Sequence, residues 1–131
     1  MLGWFRKKTV PLTGAPTVRR QKTYSAQSGY VYQYFYEGHR HSSAPPGEEY
    51  VFDVSADRKT SSHVSVFVSD EALANWERQS GRALSGTERY ALAKMALFQA
   101  FDERADPAAM REEIRVAAAD VQAILANLNI D

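Results

Sequence analysis

Residues 30–37 read Tyr-Val-Tyr-Gln-Tyr-Phe-Tyr-Glu, with a tyrosine at every second position. Because side chains alternate between the two faces of a β-strand, this period of two predicts a strand with its tyrosines on one face. Two further segments carry apolar residues at even positions in the same way: Tyr50, Phe52 and Val54, then Val64, Val66 and Val68. The three segments predict an antiparallel meander whose even-numbered side chains face a shared core.

The segments between these strands contain residues that favour loops and turns. Residues 39–47 include two serines, two prolines and Gly47, which predicts a loop after the first strand. Asp57, Arg58 and Lys59 form the predicted turn between the second and third strands.

Helical patterns follow the third strand. Ser69 or Asp70 is predicted to cap a first helix, with Leu73 and Trp76 on its apolar face and Gly81 at its end. The second helix is predicted to start at a capping box of Ser85 and Glu88 and to run to about residue 104. Its apolar residues lie on nearly all sides, which indicates a buried helix that covers the sheet.

A third helix is predicted from the Asp106-Pro107 pair, because proline is tolerated in the first turn. Its apolar residues are spaced three and four apart: Met110, Ile114, Ala117, Val121, Ile124 and Leu128. An alternative is a break at residues 116–118. The fold class predicted is α+β, a three-stranded antiparallel β-meander followed by three helices packed on one sheet face.

The length of 131 residues fits one domain, predicted over residues 24–131, after a basic flexible tail over residues 1–23. The chain has no cysteine, which excludes disulfides and thiolate metal sites. The apolar start at Trp4 and Phe5 is too short for a secretory signal, so a cytoplasmic location is predicted. There is no predicted transmembrane segment.

The charges of the chain are balanced overall but unevenly distributed. Residues 1–47 contain seven basic residues and one acidic residue, whereas residues 48–131 contain nine and fifteen. A basic arm of this kind could bind nucleic acid, anionic lipid or an acidic partner. It could equally lie on the acidic helices of its own or a neighbouring chain, or be solvated. The candidate contacts to anions or nucleic acid are Arg19, Arg20, Lys22, Arg40 and Tyr24.

Aromatic residues supply the other candidate surface. If the tyrosines face solvent, they could stack single-stranded bases or form an oligomer interface. However, they have the same even parity as the valines of the other strands, which favours their burial in the core. The candidate interaction aromatics are Tyr30, Tyr32, Tyr34, Tyr36 and Trp76.

No motif identifies a catalytic, cofactor-binding or metal site. The spacing of Tyr90 and Lys94 resembles that of the catalytic tyrosine and lysine of short-chain dehydrogenases. The glycine-rich dinucleotide turn of that family is absent from this sequence. His39 and His41 would share one side of an extended segment, without a third metal ligand nearby.

The sequence therefore predicts a non-enzymatic binding or regulatory module that acts through protein–protein contact, with a homodimer as one form. The first alternative is single-stranded nucleic-acid binding through the basic arm and the tyrosine-rich sheet. The second alternative is a small enzyme of another class, which would need a pocket with convergent polar groups.

Overall fold

The computed structural model describes residues 10–131. Trp4, Phe5 and the three basic residues that follow them, which belong to the predicted tail, lie outside the described residues. The described strands are β1 (Lys22–Ser25), β2 (Val31–Ser43), β3 (Pro46–Ser55), β4 (Ser62–Ser69) and β5 (Ile114–Val116). The helices are α1 (Asp70–Ser80), α2 (Gly86–Glu103), a short 3-10 helix (Pro107–Arg111) and α3 (Ala118–Asn127).

The α+β class is confirmed, but the predicted sheet is too small. Within residues 10–131, the sheet has five strands in the order β1-β2-β3-β4-β5. The first three strand pairs are antiparallel, whereas β4 and β5 run parallel. The predicted meander forms the centre of this mixed sheet as β2, β3 and β4.

The even-numbered side chains of the central strands form the core, as the alternation predicts. Tyr34 pairs with Val54, and Phe52 pairs with Val64, so these side chains share one face. All three α-helices contribute buried residues to the same cluster. We call this helix-covered side the inner face, and the opposite side the outer face.

The predicted loop over residues 39–47 is wrong, because β2 and β3 form a long hairpin there. The turn consists of Ala44 and Pro45, joined by a cis peptide bond. A β-bulge between Tyr36 and Gly38 shifts the register, so that Gly38 pairs with Val51. Beyond the bulge, the odd-numbered residues of β2 lie on the inner face. This change interrupts the alternation of even-numbered core residues on which the sequence prediction depends.

Strand β1 begins at Lys22, inside the segment predicted as a tail, and it is a short edge strand. Its sequence, Lys-Thr-Tyr-Ser, offers one apolar ring and no alternation. Tyr24 attaches this strand to α2, because its hydroxyl donates to Asp102 Oδ2 at 2.8 Å. The backbone N–H of Gln27 donates to Asp102 Oδ1 at 2.9 Å, which anchors the following turn as well.

The first two helices begin where the sequence predicts. Ser69 caps α1 by accepting from the N–H of Ala72, and Gly81 ends it in a left-handed conformation with φ 73°. Ser85 and Glu88 form the predicted capping box of α2. Leu92, Leu97 and Phe101 of α2 are completely buried, in agreement with its role as the cover of the sheet.

The continuous third helix is wrong, and the predicted break near residues 116–118 is close to the observed start of α3. Residues 107–111 form the 3-10 helix, and Ile114 and Val116 then point into the core from β5 while Arg115 is exposed. Parallel pairing with β4 supplies backbone partners along one side of β5. The β-branched residues Ile114 and Val116 suit this edge strand better than a helix.

The core is an aromatic layer between the sheet and α2. Phe101 stacks on Tyr32 with ring centres 4.3 Å apart, and Tyr24 stacks on Phe98 at 4.4 Å. Tyr36 packs against Tyr90 at 4.6 Å.

None of the helices in residues 10–131 has both the length and the apolar character needed to cross a membrane.

Candidate functional site

The outer face is where the polar groups of the sheet converge. Phe35 and Asp53 are direct partners across β2 and β3, and Asp53 and His63 are direct partners across β3 and β4. Glu37 lies at the bulge of β2, beside this row. All four residues have odd numbers and lie on the outer face, and the register of β2, β3 and β4 brings them together.

An arginine side chain from the segment before β1 occupies this part of the outer face. The guanidinium carbon of Arg19 lies 3.7 Å from the centre of the Phe35 ring. Its Nε donates to Glu37 Oε1 at 3.3 Å, and its Nη2 donates to Glu37 Oε2 at 3.0 Å and to Asp53 Oδ2 at 3.1 Å. We call Phe35, Glu37 and Asp53 the arginine pocket.

The electrostatics of the arginine pocket follow from its solvent access. The hydrogen bond to Glu37 is the main reason that the pKa of Arg19 is raised, followed in the same direction by the charge of that carboxylate and by Asp53. The Arg19 side chain remains 50% exposed, while the Glu37 and Asp53 side chains are 23% and 17% exposed. The carboxylates are therefore the more buried partners, and the cation is the more exposed one.

A shallow groove of about 170 Å³ continues from the arginine pocket toward the turn between β3 and β4. Gln33, Phe35 and Asp53 line its floor, and Arg58 and Thr60 line its rim. The Oε1 atom of Gln33 is buried without a hydrogen-bond partner in the described chain. This acceptor is thus closed off from solvent and unsatisfied within the described residues.

The turn at the rim of the groove is held by Asp57. The N–H groups of Thr60 and Lys59 donate to Asp57 Oδ1, each at 2.8 Å. These two backbone hydrogen bonds, Thr60 first, lower the pKa of Asp57 to about 2. Arg58 takes a left-handed conformation with φ 64°, which completes the tight turn.

The predicted anion contacts do not form one patch. Arg19 is ion-paired in the arginine pocket, and Arg40 donates from Nε to Glu49 Oε1 at 2.7 Å. Arg20 and Lys22 are exposed and make no ion pair with the described residues. Tyr24, the fifth candidate, stacks on Phe98 under the sheet.

The predicted interaction aromatics lie mostly inside the molecule. Tyr32, Tyr34 and Trp76 are buried, and Tyr36 is half-buried against Tyr90. Burial raises the pKa of Tyr34 to about 12, as expected for a phenol that is withdrawn from water. Tyr30 is the member of the row that remains exposed, at 39%.

The histidine pair of the sequence analysis lies on β2 rather than in a loop. His39 Nδ1 shares a short hydrogen bond with Glu48 Oε2, and His41 Nδ1 lies 3.5 Å from Glu48 Oε1. Within residues 10–131, one group of three metal-binding side chains has mutually close ligand atoms, and it consists of Glu37, Asp53 and His63. The histidines that the sequence draws attention to are not part of it.

Tyr90 and Lys94 lie on α2, but their surroundings do not resemble an acid–base pair. Burial raises the pKa of Tyr90, whereas a tyrosine base requires a lowered one. The Nζ atom of Lys94 lies 5.8 Å from the centre of the Phe98 ring. This lysine therefore lies along the aromatic layer.

Sequence reasoning missed Phe35, Glu37, Asp53 and His63 as a group. The signal for all four was their odd parity on the predicted strands, which marks the face opposite the core. Their proximity depends on strand register and on the bulge beside Glu37, which alternation does not give. Comparisons with protein-family models, curated proteins and solved structures found no match, so the site is interpreted from its own chemistry.

Proposed function

We propose that this protein is a non-catalytic binding module whose outer face takes an arginine side chain from a protein partner. The observation that carries this proposal is the occupied arginine pocket. A ring, a bidentate carboxylate and a second carboxylate surround one guanidinium there. Arg19 thus serves as an internal example of the group that the pocket fits.

The chemistry of the pocket favours arginine over lysine. A guanidinium is planar, so it can stack on Phe35 while its edge donates two parallel hydrogen bonds to Glu37. An ammonium is a compact charge with no flat face and no fork of donors. A lysine in the same place would keep the charge attraction and lose the stacking and the paired geometry.

Arg19 is held weakly enough to be replaced. Exposed ion pairs contribute little to stability because water screens them, and an exposed cation–π contact is similarly weak. The segment carrying Arg19 is bonded to the sheet backbone at Thr13 and His39, where each N–H donates to the other residue's carbonyl at 2.8 Å. Competition by a partner's arginine therefore requires the displacement of one exposed side chain.

The other two functions find less support in the contacts. Stacking of bases would need exposed tyrosines, and Tyr32 and Tyr34 are 0% and 4% exposed. Two of the cations proposed for phosphate contacts, Arg19 and Arg40, are paired with carboxylates of the same chain. The catalytic alternative would need convergent groups with a nucleophile or base, whereas the arginine pocket offers paired carboxylates around a cation.

The test is a titration of the labelled protein with the blocked peptide acetyl-Gly-Arg-Gly-amide, followed by NMR. Arg19→Ala vacates the arginine pocket, so it should bind the peptide about tenfold more tightly than the wild type, because the internal competitor is gone. The matched control is Arg20→Ala, which removes a neighbouring exposed cation without a pocket contact and should bind like the wild type.

Two further measurements make the test specific. The lysine version of the peptide should bind Arg19→Ala several-fold more weakly than the arginine version. Adding Phe35→Leu to Arg19→Ala should reduce arginine binding while leaving the carboxylates in place. Equal binding by Arg19→Ala and Arg20→Ala, or equal binding of the two peptides, would contradict the proposal.

A further inference from the structure

The groove beside the arginine pocket offers a second contact surface to any ligand of that pocket. Phe35 and Asp53 contact the Arg19 guanidinium, and both also line the groove. Arg58 and Lys59, from the turn between β3 and β4, line the same groove. A ligand that enters the arginine pocket therefore has two cationic side chains within reach.

Hydrogen bonds fix the turn that carries these two cations. Asp57 accepts from the N–H groups of Lys59 and Thr60 through Oδ1, and from the Thr60 hydroxyl through Oδ2 at 2.9 Å. The N–H of Arg58 donates to Ser55 Oγ at 3.0 Å. The side chains of Arg58 and Lys59 form no ion pair with residues 10–131. Both charges are therefore available to an anionic group of another molecule.

We propose that the partner whose arginine enters the arginine pocket carries an acidic residue two positions away, and that this residue binds Arg58 and Lys59 across the groove. The inference rests on the proposed docking of arginine and specifies the chemistry of the partner further. A carboxylate accepts charge-assisted hydrogen bonds from guanidinium and ammonium groups, which are stronger than those between neutral groups.

The order of charges along the groove complements such a partner. Asp53 lines the groove and would repel a carboxylate, but it pairs with the guanidinium in the arginine pocket, as it does with Arg19. The partner thus presents its positive charge to Asp53 and its negative charge to Arg58 and Lys59. A partner with two basic residues at this spacing would be disfavoured by the same two cations.

The chain itself indicates the spacing. Gln21 lines the groove, and it lies two positions after Arg19, which fills the arginine pocket. In an extended peptide, side chains two positions apart point to the same side and are separated by about 6.6 Å. Gln21 is uncharged, so the segment before β1 brings no carboxylate to the two cations.

The test is an NMR titration of Arg19→Ala, whose arginine pocket is vacated, with a pair of blocked peptides. The first is acetyl-Gly-Arg-Gly-Glu-amide, and its uncharged match is acetyl-Gly-Arg-Gly-Gln-amide. A second pair, with the acidic residue or its glutamine match before the arginine, tests the opposite order. In at least one order, the glutamate peptide should bind about threefold more tightly than its glutamine match.

Variants of the turn show whether this preference arises in the groove. In the Arg19→Ala background, Arg58→Gln combined with Lys59→Gln should abolish the advantage of the glutamate peptide and leave the affinity for its glutamine match unchanged. The matched control combines Arg20→Gln with Lys22→Gln, which removes two exposed cations that do not line the groove. This control should keep the threefold preference.

The outcomes separate this inference from the proposed function. If the glutamine peptides bind Arg19→Ala and glutamate gives no advantage in either order, the acidic residue is refuted and the docking of arginine stands. A preference for glutamate that survives the loss of Arg58 and Lys59 would also overturn the inference. If none of the peptides binds, both the docking of arginine and the inference that rests on it are wrong.

Discussion

At the scale of single residues, Gly38 determines the geometry of the arginine pocket. Its φ of 122° lies in a region that side-chain-bearing residues rarely adopt. A Cβ atom at this position would lie 2.6 Å from the carbonyl oxygen of Thr13. Gly38 therefore permits both the bulge beside Glu37 and the close approach of the segment that carries Arg19.

Gly38→Ala should destabilise the protein by more than Gly29→Ala does. Both glycines have positive φ, so each substitution costs about 1–3 kcal/mol in backbone strain. At Gly29, however, an added Cβ meets nothing within 4 Å, whereas at Gly38 it meets the backbone. Urea denaturation of both variants measures the difference, and equal losses of stability would contradict the role given to Thr13.

For single residues, the sequence predicts which face of the sheet a side chain lies on better than it predicts which side chains come into contact. Alternation correctly places Tyr32, Phe52 and Val64 in the core, because burial of apolar surface acts on every second residue of a strand. Arg19 and Asp53 are 34 positions apart, and their contact depends on how the segment before β1 crosses the sheet. Charge counts leave open whether Arg19 pairs with an acidic group, and they do not identify one.

At the scale of elements, the start of α2 combines a cap with an ion pair. Glu88 accepts from the N–H of Ser85 at 2.9 Å and completes the capping box. Arg82 donates to both oxygens of Glu88, from Nη1 at 2.9 Å and from Nη2 at 3.0 Å. These hydrogen bonds, that of Arg82 first, lower the pKa of Glu88 to about 2.

This lowered pKa predicts how the stability changes in acid. Because the folded state holds the proton of Glu88 less tightly than the unfolded state does, the carboxylate stabilises the fold above its ordinary pKa, and this stabilisation is lost as the pH falls toward 2. Glu88→Gln keeps a capping side chain but does not titrate. Its free energy of unfolding should therefore fall less steeply than that of the wild type between neutral pH and acid.

The control for this series is Glu103→Gln, the same change at an exposed position of α2 without a hydrogen bond to the described residues. Its acid dependence should follow that of the wild type. Urea denaturation at a series of pH values measures all three proteins. A Glu88→Gln profile parallel to the wild type would show that the ion pair with Arg82 does not influence folding.

Whether the sequence predicts an element correctly depends on whether the interactions that form the element are local. Ser69, Ser85 and Glu88 act on backbone groups within one turn, so their caps are local and visible in the sequence. Ile114 has helical spacing with Met110 and Ala117, but its strand pairs with β4, which ends 45 positions earlier at Ser69. Pairing with a distant strand overrides helical periodicity, and no local pattern records it.

At the scale of the whole molecule, the uneven charge of the sequence becomes a set of local pairs. Arg19 and Arg40 come from the basic segment, and Asp53 and Glu49 come from the acidic remainder. In the folded chain each of these cations lies against one of these carboxylates. The segment that the sequence predicts as a tail thus contributes to the outer face, while the inner face is formed by aromatic rings.

Phe101 is the centre of that inner layer. Its ring lies 4.3 Å from the ring of Tyr32 and 5.6 Å from that of Tyr24, and it is completely buried. The Ser28 hydroxyl donates to the Phe101 carbonyl at 2.8 Å, so the turn after β1 depends on the same residue. The packing of α2 against the sheet therefore determines whether the tyrosine row is inside or outside the molecule.

Phe101→Ala should lower the free energy of unfolding by about 3–5 kcal/mol, because it leaves a cavity between the sheet and α2. Tyr30→Ala, at the exposed end of the tyrosine row, should cost about 1 kcal/mol or less. Both are measured by urea denaturation, and Phe101→Leu provides a milder variant in case the alanine variant does not fold. Equally small losses of stability in Phe101→Leu and Tyr30→Ala would show that the aromatic layer does not hold the sheet and helices together. The tyrosines would then again be candidates for stacking a ligand.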